Sequence, residues 1–182
     1  MKPWKRTEPT RVLFSGWKHI VEKHFVRNDG NIAVMETDGE ERSADVAVIA
    51  LTPTNQVIIA EQFRAGPEKI MQELPGGMVD QGEACEVAAL RELEEETGYV
   101  TSTPLQLLGT IYRNAYTNQK TMYYLATNCE PSGSGQKLDS NEEVLVRTLS
   151  ITDVFNVAKR GNMTDVAAVF MAYDTLKALE NK

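Results

Sequence analysis

Apolar and polar residues alternate along the first third of the chain, in short runs rich in Val, Ile, Phe and Thr. Such runs, separated by Gly, Asn and Asp, are typical of β-strands joined by tight turns. Turn-forming sequences stand at 28–31, 38–39 and 52–55. The antiparallel strands that this pattern predicts cover residues 11–14, 18–27, 31–36, 44–51 and 56–63.

The spacing of apolar residues changes to that of a helix after a glycine-containing loop. Val87, Leu90 and Leu93 recur on one stripe, and Gly98 follows them at a position where glycine commonly ends a helix. These positions predict a helix over 83–97.

Two further helices are predicted near the C-terminus. Ser150 and Asp153 form a pair that caps a helix N-terminus, and Gly161 is placed to end that helix. The next segment, 164–179, also has helical spacing. Its apolar stripe consists of Val166, Val169, Phe170, Tyr173 and Leu176.

This order of elements predicts a mixed α/β chain in which most strands are antiparallel and the helices pack against them. The polar stretch 130–137 predicts a mobile loop, because it is rich in Ser and Gly. We separate an N-terminal strand segment, 1–44, from a main domain, 45–182. The strands predicted after the first helix cover 105–112, 121–127 and 144–149.

Composition fits one globular domain: the chain has 182 residues, of which 42% are hydrophobic and 25% charged. A net charge of −7 argues against binding to the phosphate backbone of nucleic acid. The longest apolar runs, 46–51 and 166–173, are too short to span a membrane, and the N-terminus lacks the apolar segment of a signal peptide. We therefore expect neither a nucleic-acid partner nor a membrane.

The cysteines and histidines do not suggest a zinc site. Cys85 and Cys129 form no CxxC pair, and His19 and His24 lie five residues apart, on opposite faces of a strand. Reduced cysteines are typical of a cytoplasmic protein, which is the location we expect.

Acidic residues are concentrated in the first predicted helix, where six glutamates and one arginine lie between 83 and 98. Glu92 is one turn from Glu95 and Glu96, and like charges at this spacing destabilise a helix by about 0.2–0.5 kcal/mol per pair. The negative end of the helix dipole adds to this repulsion. Two interpretations are open: a solvated acidic surface, or carboxylates that converge on a hard divalent cation such as Mg²⁺ or Mn²⁺.

The fixed glycine and charged positions of this segment resemble the signature of the Nudix hydrolase family. In order, and at the family's spacing, they are Gly77, Glu83, Arg91-Glu92-Leu93, Glu95-Glu96 and Gly98. The resemblance implies an α/β/α sandwich with a mixed, mostly antiparallel sheet. It also implies hydrolysis of a nucleoside diphosphate linked to another group.

The same resemblance implies roles for the charged residues. Mg²⁺, with Mn²⁺ as an alternative, would be bound by Glu92, Glu95 and Glu96, joined by Glu83, and Arg91 would orient these glutamates through an ion pair. A pyrophosphate is anionic and repels an acidic protein, so a metal ion between them is needed to screen the charge and to activate water.

Two flanking sequences, Glu61-Gln-Phe-Arg64 and Glu73-Leu-Pro-Gly-Gly77, are similar to the ADP-ribose and nucleoside-diphosphate-sugar pyrophosphatase branch of the family. The branch implies that Arg64 contacts the substrate phosphates, for which the planar guanidinium is suited. A surface salt bridge is the alternative role for this arginine. The branch also implies that the backbone carbonyl of Gly76 is a metal ligand.

In this branch an acidic residue in a loop before the last sheet strand activates the water, and residues 139–143 occupy the corresponding place. Glu142 or Glu143 is therefore the candidate general base. A polar turn without a catalytic role is an alternative, as is a base from the signature segment itself.

Residues 112–118 include an alanine and a tyrosine near the place where ADP-ribose enzymes carry a proline. The expected substrates therefore include ADP-glucose and GDP-mannose as well as ADP-ribose. Asn114, Tyr116 and Asn118 are candidates for a sugar site, with turn formation as the alternative.

The early strands resemble an N-terminal segment that this branch exchanges between two subunits, which implies a homodimer. Trp17 and Phe25 are candidates for stacking on the base, or else core residues. The hypothesis is a Mg²⁺-dependent hydrolase that splits nucleotide sugars into a nucleoside monophosphate and a sugar phosphate. Its rivals are an RNA 5′-pyrophosphohydrolase and a noncatalytic nucleotide-binding sensor.

Overall fold

The computed structural model describes residues 1–39 and 44–180. The chain divides into two compact units. The first comprises Met1–Ser43 with Tyr112–Lys120, and the second comprises Ala44–Ile111 with Thr121–Lys182. The sequence predicts a segment boundary between residues 44 and 45. Residues 40–43, just before it, lie outside the described residues.

The first unit contains a four-stranded antiparallel sheet. Its strands are β1 (Lys5–Arg6), β2 (Arg11–Ser15), β3 (His19–Val26) and β4 (Ile32–Asp38). β3 pairs with each of the other three. Gly30 has a φ of 84° in the turn between β3 and β4, a conformation that favours glycine. The N–H of Asp38 donates to the carbonyl of Tyr116 at 2.8 Å and so ties the 112–120 segment to β4.

The second unit is built on a seven-stranded mixed sheet. Its strands are β5 (Asp45–Leu51), β6 (Val57–Arg64), β7 (Lys69–Glu73), β8 (Gly76–Met78), β10 (Gln106–Tyr112), β11 (Lys120–Ala126) and β13 (Val144–Leu149). The strand order is β10-β11-β5-β6-β13, with β7 beside β6 and β8 beside β5. β5 and β11 are parallel, whereas β6 is antiparallel to β5, β7 and β13. A separate two-stranded sheet joins β9 (Tyr99–Val100) to β12 (Glu130–Pro131).

The described residues also form four helices: α1 (Cys85–Thr97), α2 (Ile151–Lys159), α3 (Val166–Met171) and α4 (Tyr173–Glu180). α1 ends at Gly98, whose φ of 71° is left-handed, as predicted. The hydroxyl of Ser150 accepts the N–H of Asp153 at 3.1 Å and caps α2, also as predicted. The helix predicted over 164–179 is interrupted at Ala172. No helix among the described residues is long and apolar enough to cross a membrane.

β5 separates two hydrophobic cores, because alternate side chains of a strand point to opposite faces of the sheet. On one face, strand residues that include Val46 and Val48 pack with Ala88, Ala89 and Leu93 of α1. On the other face, residues that include Ile49 and Leu51 pack with Ile151, Val154, Phe155 and Leu176 of the C-terminal helices. The second unit is thus the predicted α/β/α sandwich with a mixed, mostly antiparallel sheet.

The buried face of α1 differs from the predicted stripe. Leu93 is buried, but Val87 is 56% exposed and Leu90 is also exposed. The buried residues of the helix are Ala88, Ala89, Leu93, Glu96 and Thr97. Small alanine side chains let the helix pack closely on the sheet, and this orientation turns the Glu96 carboxylate inward.

The stretch 130–137 also differs from the mobile loop that its composition predicts. It begins with β12, and the N–H groups of Ser132 and Lys137 donate at 2.8 Å to the carbonyls of Gly98 and Glu95. The last carbonyls of a helix have no partner within the helix and therefore accept bonds from a passing segment. Composition alone does not reveal such an acceptor.

Candidate active site

Arg91 lies at the centre of the acidic cluster on α1. Its guanidinium donates to both carboxylate oxygens of Glu83 at 3.0 Å, to Glu92 at 2.8 Å and to Glu95 at 3.0 Å. A further bond of 3.1 Å reaches the carbonyl of Met78, just after the glycine pair. The hydrogen bonds with the three glutamates raise the pKa of Arg91, and the bond with Glu83 has the largest effect. One cation thus offsets part of the repulsion among three glutamates.

Glu83 stands just before α1, where the chain turns into the helix. Its carboxylate accepts the N–H of Asp80 at 3.1 Å, and its own N–H donates to the Asp80 carbonyl at 3.0 Å. The hydrogen bond from Arg91 is the main cause that lowers the pKa of Glu83. The residue is therefore ionised and oriented toward the cluster.

Glu96 lies on the buried face of α1, and only 5% of its surface is exposed. Its carboxylate accepts the backbone N–H of Gly76 at 2.9 Å. Burial raises the pKa of Glu96 to about 8, and the charges of Glu92 and Glu142 add to the effect. Burial also raises the pKa of Glu92. The fold thus forces two carboxylates into an environment that disfavours their charged forms.

The glycine pair 76–77 brings bare backbone against α1 and β5. A Cβ on Gly77 would lie 2.5 Å from a carboxylate oxygen of Glu92, and one on Gly76 would lie 2.2 Å from the carbonyl oxygen of Val46. Neither space admits a side chain without movement. The pair therefore lets β5 and the Glu92 carboxylate approach the backbone closely.

Arg64 ends β6 and is held by Glu73 of β7. The Arg64 Nε lies 2.8 and 3.0 Å from the two Glu73 oxygens, and a terminal nitrogen also donates to Glu73. Glu73 is 3% exposed, and it also accepts the side-chain amide of Gln62 at 3.1 Å. Glu73 is the main cause that raises the pKa of Arg64, with a smaller effect from Glu96. Arg64 thus lies within electrostatic range of the acidic cluster.

The two candidate bases are both exposed and lie in the turn before β13. The Glu142 carboxylate accepts the N–H of Asp139 at 3.0 Å. Its charge also contributes to the raised pKa values of Glu92 and Glu96. This coupling favours Glu142 over Glu143 as the carboxylate that acts at the cluster.

The remaining predicted site residues belong to the first unit and are described within it alone. Trp17 is 78% exposed, in the turn between β2 and β3, whereas Phe25 is half-buried. Asn114 accepts the N–H of Tyr116 at 2.7 Å, which is a turn-forming contact. Tyr116 and Asn118 are exposed. The hydrogen bond of Asn114 agrees with the turn-forming alternative for that residue.

A divalent cation fits the donor types of the cluster. They are carboxylate and carbonyl oxygens, which Mg²⁺ and Mn²⁺ prefer, and the absence of a side chain at Gly77 lets the Glu92 carboxylate lie directly against the backbone of β8. Within residues 1–39 and 44–180, no three acidic, histidine or cysteine side chains are already arranged around one point. Glu92 and Glu95 form ion pairs with Arg91.

Three residues of this region were not predicted from the sequence. Glu73 lies in a motif that marked the branch, but its partnership with Arg64 depends on the pairing of β6 with β7. Asp165 accepts the N–H of Leu74 at 3.2 Å across 91 residues. Gln136 donates to the Glu96 carbonyl at 2.6 Å across 40 residues. No local pattern marks these last two contacts.

Comparison with known proteins shows which family this chain is similar to. The model of the NUDIX domain matches residues 41–172. A methanol dehydrogenase activator of Bacillus methanolicus is 32% identical over 68% of this chain and 67% of its own. An ADP-ribose pyrophosphatase of Bacillus subtilis (strain 168) is 29% identical over 69% of this chain and 68% of its own.

A crystal structure of an ADP compounds hydrolase shares the fold, with a TM-score of 0.80 at 20% identity, over 96% of this chain and 95% of that one. The predicted family and fold are thus confirmed. The glycine and glutamate pattern from Gly77 to Gly98 and the NUDIX match over most of the chain together show that this protein belongs to the Nudix hydrolase family.

Proposed function

We propose that the protein hydrolyses the pyrophosphate bond of nucleoside diphosphate sugars, of the ADP-ribose, ADP-glucose and GDP-mannose class, with Mg²⁺ as cofactor and Mn²⁺ as an alternative. Water adds across the P–O–P link: one phosphate gains OH and the other gains H, which gives a nucleoside monophosphate and a sugar phosphate. The observation that carries the proposal is the buried Glu96 carboxylate beside Glu92, because the charged form of a buried carboxylate is costly unless a cation joins it.

The substrate class rests on two further points. Relatives of this chain include the ADP-ribose pyrophosphatase of Bacillus subtilis. The side chain of Arg64 is 47% exposed while Glu73 binds two of its guanidinium nitrogens, so N–H groups remain for phosphate oxygens. A cationic residue near an acidic cluster suits a substrate whose anionic phosphates must reach that cluster.

Each residue has a distinct role in this proposal. When bound, the divalent cation screens the pyrophosphate and lowers the pKa of water. Glu92, Glu95 and Glu96, with Glu83 and the carbonyl of Gly76, would hold it. Arg91 orients the glutamates, and Arg64 binds a phosphate oxygen. Glu142 takes the proton of the attacking water, with Glu143 as the less favoured candidate.

We also propose a homodimer in which the strand segment 1–44 is exchanged. Support comes from large apolar side chains that the first unit exposes, namely Val12, Phe14, Trp17, Ile32 and Val34. Exposed apolar patches commonly mark association sites. In the dimer Trp17 would stack on the base, and Tyr116 would face the sugar. Light scattering coupled to gel filtration measures the oligomeric state, and the mass of a monomer at micromolar concentration would reject the dimer.

A cytoplasmic location is proposed from the free Cys85 and Cys129, of which Cys129 is buried. Thiols that stay unpaired are typical of a reducing compartment.

The decisive experiment is a substrate panel. ADP-ribose, ADP-glucose, GDP-mannose and a 5′-triphosphorylated RNA are incubated with the protein and Mg²⁺ or Mn²⁺, and products are resolved by ³¹P NMR. We expect turnover of at least one nucleotide sugar and its loss with EDTA. Turnover of the RNA alone would support the RNA enzyme, and tight nucleotide binding without turnover would support the sensor.

Two variants of α1 test the assignment of Glu96, one as the test and the other as its matched control. Glu96→Gln should lower kcat by about 100-fold or more, in the range typical of lost electrostatic stabilisation. Glu94→Gln should stay within about twofold, because Glu94 forms an exposed pair with Lys137. Equal effects of the two substitutions would contradict the assignment of Glu96.

A further inference from the structure

Residues 132–137 run along the C-terminal end of α1 and donate hydrogen bonds to it. The N–H of Ser132 reaches the carbonyl of Gly98, and the N–H of Lys137 reaches the carbonyl of Glu95, both at 2.8 Å. These carbonyls are among those that a helix leaves without internal partners at its end. The segment is therefore fastened to α1 through backbone atoms at two points.

Gln136 adds a third attachment, which links α1 to the sheet. Its side-chain Nε2 donates to the carbonyl of Glu96 at 2.6 Å and to the carbonyl of Val144 at 3.0 Å. Val144 is the first residue of β13. One amide nitrogen thus uses both of its hydrogens to join the end of α1 to the start of β13.

The turn that carries Glu142 lies between these attachments. The N–H of Glu142 donates to the carbonyl of Asp139 at 2.9 Å, and the N–H of Asp139 donates to the Glu142 carboxylate at 3.0 Å. The turn is therefore closed within itself. Its place relative to α1 depends on the residues on either side, namely Lys137 before it and Val144 after it.

We infer that Gln136 is a positioning residue, which places the carboxylate of Glu142 relative to Glu92 and Glu96 by joining the carbonyls of Glu96 and Val144. This inference rests on the proposed function, in which Glu142 takes the proton of water. A general base must lie within hydrogen-bond reach of its proton, so a turn that drifts by about 1 Å can lower the rate as much as 100-fold.

The chemistry of glutamine explains why this residue type suits the position. Methionine has a similar length but no donor, and glutamate would set a carboxylate against two carbonyl oxygens. Asparagine keeps the NH₂ group but is shorter by one methylene, so it cannot span the same two acceptors. Gln136→Met and Gln136→Asn therefore remove the link in two different ways.

The first test follows the turn without any substrate. Hydrogen exchange of peptides covering 139–143 should be faster in Gln136→Met than in the wild type, while exchange within α1 stays the same. Lys137→Gln is the matched control, because it keeps the backbone N–H that binds the Glu95 carbonyl and removes an exposed ion pair with Glu94. Unchanged exchange of the turn in Gln136→Met would overturn the inference.

The second test measures turnover of the substrate identified in the panel. Gln136→Met should lower kcat about tenfold, with KM and the Mg²⁺ concentration for half-maximal rate within about twofold, because only the base is displaced. In a Glu142→Gln background the same substitution should have no further effect. Lys137→Gln should keep the wild-type kcat.

Each other outcome has a definite meaning. If Gln136→Met lowers kcat equally in the wild-type and Glu142→Gln backgrounds, Gln136 does not act through Glu142. If Glu142→Gln keeps the wild-type kcat, Glu142 is not the general base. Either result overturns the inference but not the proposed hydrolase activity. No turnover by the wild type rejects the proposed function, and the inference with it. If Gln136→Met does not fold, Gln136→Asn carries the same expectations in both tests.

Discussion

The Glu96 carboxylate accepts a hydrogen bond from the backbone N–H of Gly76 at 2.9 Å. The two residues are 20 positions apart and belong to different elements, α1 and β8. In the proposed function both belong to the metal site, Glu96 through its side chain and Gly76 through its carbonyl. The fold itself therefore brings these two groups together, and catalytic sites require such preorganisation.

Glu96→Gln should stabilise the metal-free protein at neutral and alkaline pH. Burial raises the pKa of Glu96 to about 8, whereas a glutamate in an unfolded chain titrates near ~4.3. Between these values the folded protein keeps a proton that the unfolded chain has released. The free energy of unfolding therefore falls as the pH rises from about 4 to about 8, and glutamine removes this loss.

Thermal unfolding in EDTA at a series of pH values measures this effect. Each change of about 1 kcal/mol in the free energy of unfolding should shift Tm by about 2–4 °C for a chain of this size. The difference in Tm between variant and wild type should widen with rising pH up to about 8 and then level off. A constant difference across the series would contradict the burial argument.

Arg91→Lys should impair the enzyme although it keeps the positive charge. A lysine has no planar fork and cannot hold Glu83, Glu92 and Glu95 together. We expect kcat to fall about 10–100-fold and the Mg²⁺ concentration for half-maximal rate to rise, as is usual when a residue that orients metal ligands is lost. A magnesium titration of the rate measures both quantities.

The control for this change is Arg147→Gln, which removes a half-exposed pair with Glu61 of the sheet. That variant should keep kcat and the magnesium dependence within about twofold. If Arg91→Lys also kept kcat and the magnesium dependence within about twofold, the proposal that Arg91 orients the glutamates would be rejected.

Gly77→Ala should reduce activity while the protein stays folded. The new Cβ would lie 2.5 Å from a Glu92 carboxylate oxygen, and the side chain of Glu92 must move away. A shift of about 1 Å at a catalytic group can cost about 100-fold in rate. Gly66→Ala is the matched control, since its Cβ meets nothing within 4 Å. Normal activity in Gly77→Ala would show that Glu92 does not need its present place.

Glu73→Gln should weaken substrate binding more than the chemical step. Arg64 would lose the buried carboxylate that fixes its guanidinium, so we expect KM to rise about tenfold with a smaller change in kcat. Steady-state kinetics with the best nucleotide sugar measures both. Glu61→Gln, in the same sheet, should leave KM unaltered. A fall in kcat at constant KM would argue that Arg64 does not bind the ground-state substrate.

Local patterns were sufficient for most strands and for α1. The predicted strand 18–27 is observed as His19–Val26, and 144–149 as Val144–Leu149. Turn residues such as Gly30 mark such boundaries because their φ values are tied to residue type. By contrast, β8 escaped prediction: Gly76–Met78 has three residues and no β-branched side chain, and it forms only because β5 lies beside it.

The contacts of the candidate site also divide into those that local sequence patterns predict and those that only the fold reveals. The spacing of Arg91, Glu92, Glu95 and Glu96 is local, so their proximity on one helix could be predicted. Which face of α1 is buried could not, because the sheet beneath selects Ala88 and Ala89 over Val87. Gln136 stands 40 residues from Glu96 in a segment of ordinary loop composition, so only the folded chain reveals the contact.

The first unit is made of two segments that lie far apart in the sequence, so it cannot be completed until the second segment has been synthesised. That unit contains Met1–Ser43 but also Tyr112–Lys120, and the carbonyl of Tyr116 is bonded to Asp38. Domains tend to fold from the N-terminus as the ribosome releases them. The strands β1 to β4 can therefore pair early, whereas the 112–120 segment joins β4 only when about two thirds of the polypeptide has emerged.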